Sequence, residues 1–356
     1  MQSSYGNNLK LTIFGASHDP AIGMTLSGIP VGKAVDTDAL QVFLNRRAPG
    51  RNDWSTSRKE ADVPHFLSGI TNGITNGETI KAVIYNENIN RSDYADLTSI
   101  PRPGHADYAA WMKYGKDFDM SGGGPFSGRM TAPMCIAGGL CKQWLEEIGI
   151  RIGAHIAWIH DIDDNRFHPI KPNLDGVQPD FPVLDPACGH QMQEAILNAQ
   201  KQGDSVGGII ECAVTGLSAG YGGPLFDGIE GRIANIVYSI PAVKGIDFGM
   251  GFAGMYHLGS QCNDAFMLQD GTVCSPTNHC GGILGGITNG MPILFRVAIK
   301  PTPSIAKPQR SVNLQTMEEV TLQINGRHDP CIVPRAVPVV EAAAAIAIYD
   351  LILGGK

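Results

Sequence analysis

Charge is in short supply in this chain. Only 17% of its 356 residues are Asp, Glu, Lys or Arg, and the formal balance is −7. So acidic a chain offers no extended basic face, which argues against a general role on nucleic acids or membrane surfaces. Long apolar runs are also missing. No stretch approaches the roughly eighteen apolar residues of a membrane-spanning helix, and the Ala-rich run near Ala342 is broken by Glu341 and Asp350. The eight cysteines, at 135, 141, 188, 212, 262, 274, 280 and 331, include no Cys-x-x-Cys pair. Reduced, buried thiols of a cytosolic protein are therefore expected rather than a disulfide framework. No metal site is expected either, because His155 and His160 lie five apart on a strand-like run and face opposite sides. A GxxxxGK[ST] phosphate loop is absent. The opening Met1-Gln2-Ser3-Ser4-Tyr5-Gly6 lacks a basic segment followed by an apolar one, so no signal peptide is expected.

Glycine and proline are plentiful instead, at 44 and 23 residues, and 43% of the chain is apolar. That buries a large core, as one big domain or two ordinary ones, joined by tight loops. The loops hold the polar chemistry. Gly326-Arg327-His328-Asp329-Pro330-Cys331, followed by Pro334-Arg335-Ala336-Val337-Pro338, sets four ionisable side chains on an irregular, constrained segment. The same vocabulary recurs in Ser17-His18-Asp19, Arg46-Arg47 and Pro103-Gly104-His105-Ala106-Asp107. A solvated turn can carry such residues, but their recurrence points to loops converging on one small polyanion.

In chain order, a strand over 9–14 enters a hairpin with Ser17 and His18 at its tip. Asp36 is a plausible N-cap for a short helix through Ala39, Leu40, Phe43 and Leu44, which delivers Arg46 and Arg47 to its end. Residues 51–62, including Arg51, Asp53, Arg58, Lys59, Glu60 and Asp62, read as an exposed or mobile loop. Strands are expected at 63–70 and 79–85, then an irregular segment with Arg91-Ser92-Asp93-Tyr94 and Arg102. Gly122-Gly123-Gly124 permits close backbone approach to an anion or acts as a hinge. Helices are expected from Pro133 to Ile148, from His190 to Lys201, through Ile229 to Val237, and from Val337 to Leu353. Strands are expected at 150–162, 209–214 and 293–299, with a Pro/Asp-rich excursion at 163–186. Gly249-Met250-Gly251-Phe252-Ala253-Gly254 matches GxGxxG, but no good helix start follows and no βαβ unit surrounds it. It reads as a bend, and a nicotinamide-dependent oxidoreductase is a weak third reading. The halves 1–150 and 200–356 could be related copies, with no clear repeat.

Taken together, these motifs resemble the chorismate synthase family. The likeness runs through Phe14-Gly15, Arg46-Arg47-Ala48-Pro49-Gly50, Arg58-Lys59-Glu60-Ala61-Asp62, Leu67-Ser68-Gly69 and Arg102-Pro103-Gly104-His105-Ala106-Asp107-Tyr108. It continues through Lys113-Tyr114-Gly115, Gly203-Asp204-Ser205-Val206-Gly207-Gly208, Ala242-Val243-Lys244-Gly245, Gly281-Gly282-Ile283-Leu284-Gly285-Gly286, Lys300-Pro301-Thr302 and the 326–338 segment. The resemblance implies one α+β domain over 1–356, a β-α-β sandwich, assembled as a homotetramer in the cytoplasm. It implies a carbon–oxygen lyase of the shikimate pathway of aromatic amino acid biosynthesis. The reaction is the anti-1,4-elimination of phosphate from 5-enolpyruvylshikimate-3-phosphate, giving chorismate, with reduced FMN required but no net redox change. NADPH enters only if the protein reduces its own flavin; otherwise an external flavin reductase is a partner.

Carried over residue by residue, the resemblance makes His18 an acid guarding the charge of reduced flavin or substrate. His105 protonates the departing phosphate, and Asp329 takes the flavin N5 proton. Ser17 and Ser127 are relay hydroxyls, and Arg46, Arg47, Arg102, Arg129 and Arg327 hold substrate or the neighbouring phosphate. The flavin is expected against Arg47, Pro125, Phe126, Ser127, Pro241, Ala242, Gly285, Lys300, Pro301, Thr302, Pro303, Ser304 and Arg327. Departures are visible. The family usually has Gly-Glu-Ser-His-Gly where this chain has Gly15-Ala16-Ser17-His18-Asp19, and Pro125-Phe126-Ser127-Gly128-Arg129-Met130 replaces a more basic run. Asp53 stands where a basic residue is sometimes linked to nicotinamide use. A descendant that binds flavin or polyanion without turnover is the rival reading.

Overall fold

The computed structural model describes residues 2–50, 52, 54–55, 60–86, 99–115, 118, 121–324 and 329–356. Arg51, Asp53, Arg58, Lys59, Arg91, Ser92, Asp93, Tyr94, Gly326, Arg327 and His328 lie outside the described residues.

Two five-stranded antiparallel sheets enclose a layer of helices. The first half runs β1 (Gln2–Tyr5), β2 (Lys10–Phe14), β3 (Ala21–Ser27), α1 (Thr37–Arg47), β4 (His65–Ser68), the small hairpin β5 (Ile70–Thr71) and β6 (Ile74–Thr75), β7 (Ile80–Tyr85), α2 (Asp107–Tyr114) and α3 (Thr131–Glu146). The second runs β8 (Arg151–Ile159), β9 (Ile162–Asp163), α4 (Pro186–Lys201), β10 (Gly208–Thr215), α5 (Ile229–Val237), β11 (Val243–Phe248), α6 (Gly259–Cys262) and hairpin β12 (Met267–Gln269)–β13 (Thr272–Cys274). It closes with hairpin β14 (Ile283–Leu284)–β15 (Ile287–Thr288), β16 (Ile293–Ile299), hairpin β17 (Gln309–Asn313)–β18 (Glu318–Leu322) and α7 (Val333–Leu353).

Four strands of each sheet match in topology. The first is ordered β1-β2-β3-β7-β4 and the second, read the same way, β9-β8-β10-β16-β11. In each half an antiparallel pair is followed by a helix, an edge strand, a strand inserted between edge and pair, and a long helix. The halves share this arrangement although no sequence repeat announces it, and they differ in the fifth strand, since β1 precedes its neighbour β2 whereas β9 follows its neighbour β8.

Alternation explains which faces close. Ile22, Met24 and Leu26 of β3 and Ile80, Ala82 and Ile84 of β7 are buried toward the helices. In the second sheet both faces are covered. Ile210, Cys212 and Val214 share a buried strand face, while Ala213 and Leu294 meet Phe167, Leu174, Val177 and Leu184 of the long excursion. Helices α3 and α7 pack directly on one another at the centre. Gly138 permits this, since a Cβ there would lie 2.3 Å from Ala342 Cβ. Trp144 is fully buried, donates Nε1–H to Ala34 O at 2.8 Å and meets the Tyr349 ring at 5.3 Å with a tilt of 43°; such burial contributes roughly 2–3 kcal/mol.

Most sequence-derived elements are present, with shifted ends. Asp36 caps α1 by accepting from Asp38 N and Ala39 N at 3.0 and 2.9 Å. The last helix begins at Val333, a turn before the expected Val337, because Pro334 sits in its first turn where no N–H is needed. That helix is long and apolar enough to cross a membrane, but 89% of its apolar window is buried inside the fold. Four thiols, Cys135, Cys141, Cys212 and Cys331, are buried as expected, whereas Cys188, Cys262, Cys274 and Cys280 are only half-buried. No disulfide joins the cysteines, and no metal-binding cluster occurs among the described residues.

Candidate active site

The matching halves bring matching segments to one place. A cavity of about 560 Å³ is lined by the end of α1 and the end of α5, by the starts of α3 and α7, and by the segments 102–106 and 300–304 that follow β7 and β16. Among the described lining residues six are cationic (Arg47, Arg102, Arg129, Lys244, Lys300 and Arg335) against two carboxylates, Glu60 and Asp329. In a chain of net charge −7 this is a local reversal of sign. Pro125, Phe126, Ile240, Pro241, Ala242 and Val339 add apolar wall.

His105 is fixed by its neighbours. Its Nδ1 lies 2.6 Å from Asp107 Oδ1, and Arg102 donates Nε and Nη2 to the two Asp107 oxygens at 2.7 and 2.8 Å. Burial raises the Asp107 carboxyl, but the hydrogen bonds from Arg102 and His105 outweigh burial and hold it well below the usual range. Nε2 is the remaining ring nitrogen. It stands 3.3 Å from where a Cβ of Gly123 would sit, and Gly123 has φ +93°, so two constraints require glycine there.

A second carboxylate organises the opposite side. Asp62 is fully buried and joins Arg47 Nη1 through one oxygen and Arg129 Nη1 through the other. Burial again raises its carboxyl, and the two guanidiniums pull it lower. Arg47 also donates Nε to Thr131 Oγ1 at 3.1 Å, and Arg129 donates Nε to Asn86 Oδ1 at 3.1 Å, with Glu60 at 3.3 Å. Among the described residues, Arg129 Nη2 and Thr302 Oγ1 are buried without a hydrogen-bond partner. A buried donor without an acceptor is costly, and here both belong to residues that line an open cavity. The expectation of an exposed or mobile 51–62 loop therefore fails at Glu60 and Asp62, because two buried arginines need a counter-charge and these carboxylates supply it.

The remaining expected residues divide. Ser127, Pro125, Phe126, Pro241, Ala242, Lys300, Thr302, Pro303, Ser304 and Asp329 line the cavity with Arg47, Arg102, His105 and Arg129. Ala242 adopts φ +75°, a strained conformation for a non-glycine residue. Lys300 reaches Gly104 O, and burial together with Lys244 lowers its ammonium below the ordinary value. Asp329 pairs with Arg335 Nη1.

Ser17 and His18 are buried just behind the wall rather than in it. Ser17 Oγ lies 3.0 Å from His18 Nδ1, and Ser17 N donates to Gly124 O at 3.3 Å. Asp19 is exposed, so the displaced carboxylate of this hairpin faces solvent and leaves the Ser17–His18 pair intact. Pro301 frames the 300–304 turn without lining the cavity.

Two residues stand apart. Gly285 lies in the β14–β15 turn, outside the cavity lining. Arg46 is also outside it: its guanidinium forks onto Glu341 at 2.9 and 2.7 Å, and Lys142 joins the same carboxylate at 2.8 Å. A buried glutamate on α7 needs a cation, and of two successive arginines at a helix end only one can face the cavity. Arg327 lies outside the described residues. Sequence reasoning placed Asp107 and Arg335 in motifs expected to converge on the ligand but gave them no role, and it did not single out Glu60, Asp62, Thr131 or Lys244 as site residues. The signal was available for the carboxylates, since several arginines in a weakly charged chain require counter-ions and these lie within or beside the same motifs.

Comparison with known proteins agrees with this geometry. The family profile described as "Chorismate synthase" matches residues 9–353. A protein of Lancefieldella parvula named chorismate synthase is 45% identical, across 98% of this chain and 96% of the relative. Another so named, from Thermococcus gammatolerans, is 42% identical across 99% and 98% of the two chains. A solved structure titled "Crystal Structure of Chorismate Synthase" superposes with a TM-score of 0.78 at 26% identity, covering 98% of this chain and 93% of that one. Relatedness from end to end, carried on the same sandwich, places this chain in the chorismate synthase family.

Proposed function

We propose that residues 1–356 act as one domain that eliminates phosphate from 5-enolpyruvylshikimate-3-phosphate in the anti-1,4 sense, giving chorismate, as a lyase of the shikimate pathway. The observation that carries this reading is the excess of cations in one cavity of an acidic chain. Two carboxylates and a phosphate on the substrate need that complement.

In this reading Arg47 and Arg129, held by Asp62, receive anionic substrate groups, and the unpartnered Arg129 Nη2 gains its acceptor on binding. His105, oriented through Nδ1 by Asp107, delivers a proton from Nε2 to the departing phosphate oxygen. Asp329 accepts the proton released when C6–H is broken, and Ser127 and the Ser17–His18 pair serve as relays beside these groups. The cavity also suits a flavin mononucleotide. Pro125, Phe126, Pro241 and Ala242 give apolar surface for a ring system, while Lys300 and the orphaned Thr302 Oγ1 give polar partners. Reduced FMN, when bound, supplies electron density to a reaction centre made electron-poor as the allylic phosphate leaves.

A homotetramer in the cytoplasm, without nucleic acid or membrane partners, completes the proposal. So does an external flavin reductase, since Asp53 argues against NADPH use by the chain itself. Turnover with FMN and NADPH alone in air-free buffer would contradict that last point. The elimination itself is tested by trapping chorismate and phosphate in equal amounts from the phosphorylated substrate.

A further inference from the structure

We propose that Arg335 is a positioning residue for the elimination, acting by fixing the carboxylate of Asp329 against the end of α1. Its guanidinium spans two elements. Nη1 pairs with Asp329, and Nε donates to the backbone oxygen of Arg47 at 3.0 Å. Residue 335 therefore ties a group proposed to accept a proton to the helix end that carries a substrate-binding arginine, across one wall of the cavity it helps to line.

The position in the helix does not by itself favour an arginine here. Arg335 is the third residue of the 21-residue helix α7, at the positive end of its dipole, where a cation is unfavourable. Burial pushes its guanidinium below the ordinary value, and the neighbouring Arg47 pushes the same way. Against these stands the pairing with Asp329, which pushes the guanidinium the other way and which an apolar residue of similar length would forfeit. The other half of the molecule repeats the device. Arg129 lies two residues before α3, the counterpart of α7, and pairs with Asp62. Each half thus sets an aspartate-paired arginine at the start of its long helix, and both arginines line the same cavity.

A rigid two-point fork is needed to hold Asp329 in one orientation. Lysine retains the charge but cannot reach both acceptors with a fixed planar group. Misplacing a reacting group by about 1 Å costs on the order of a hundredfold in rate.

The inference rests on the proposed proton-accepting role of Asp329, and its test separates the two. Single-turnover rates are measured in the full chain with chemically reduced FMN and saturating 5-enolpyruvylshikimate-3-phosphate, for Arg335→Met, Arg335→Lys, Asp329→Asn and the Arg335→Met/Asp329→Asn double variant. Substrate dissociation constants are measured alongside. Arg335→Met is expected to remain folded under the assay conditions and to react about a hundredfold more slowly, with substrate affinity within about tenfold of wild type. Arg335→Lys is expected to recover the rate only in part, and the double variant to be no slower than Asp329→Asn. A slow Asp329→Asn with a double variant slower by the full product of both effects would overturn the inference while leaving the role of Asp329 standing. An undiminished rate in Asp329→Asn would overturn both. An undiminished rate in both Arg335 variants, or a loss of substrate affinity that saturation fully repairs, would overturn the positioning role alone.

Discussion

At the scale of single residues, the site is a set of carboxylates that aim cations. Asp107 holds His105 and Arg102 together, and Asp62 holds Arg47 and Arg129. Replacing His105 by Ala is expected to lower turnover by roughly two to four orders of magnitude, the range for a lost general acid, with the fold intact. Near-wild-type turnover from about pH 6 to 8 would make His105 structural. The adjacent arginines should behave differently. Arg47→Gln removes a charge that lines the cavity and should weaken substrate binding roughly ten- to hundredfold. Arg46→Gln removes one partner of the buried Glu341, whose carboxyl burial raises but Arg46 and Lys142 together hold down at about 2. It should cost about 2 kcal/mol in urea denaturation with little change in substrate affinity. Equal effects on affinity from the two variants would contradict this division.

At the scale of elements, His155 shows what a strand-by-strand reading overlooks. From its spacing it was expected only to face away from His160, yet it is fully buried between Asp164 on the long excursion and Glu211 on β10, at 3.2 and 3.0 Å. Burial lowers its imidazole, but hydrogen bonds to the two carboxylates outweigh burial and raise it above the ordinary value. A raised value means the stabilisation is fully present below the unfolded value of about 6.5 and is lost as pH rises through the higher folded value. The urea midpoint is therefore expected to fall over the interval in which pH rises above that unfolded value, and His155→Gln to flatten that fall. A wild-type midpoint that holds steady or climbs over this interval would exclude the imidazolium.

Local features were readable in advance where physics is local. The cap at Asp36, the hairpin carrying Ser17 and His18, and the apolar last helix all follow from neighbours in sequence. The pairs Arg46–Glu341 and Arg47–Asp62 do not, because they depend on which side of α1 meets α7. The start of α7 was missed for a different reason, as prolines at 334 and 338 mask a helix that tolerates them.

At the scale of the whole molecule, two topologically matching halves close one cavity between their helix ends, and the charge gathered there runs against the charge of the chain. The central claim is that this charge serves a phosphate-eliminating reaction rather than binding alone. One measurement tests it most directly: phosphate release followed in air-free buffer after mixing the protein with 5-enolpyruvylshikimate-3-phosphate and chemically reduced FMN. The account predicts phosphate and chorismate in equal amounts over many turnovers, with the flavin still reduced at the end and no release when oxidised FMN is supplied. Tight binding of both small molecules with no phosphate released would contradict it, and would leave a family member that holds its ligands without turning them over.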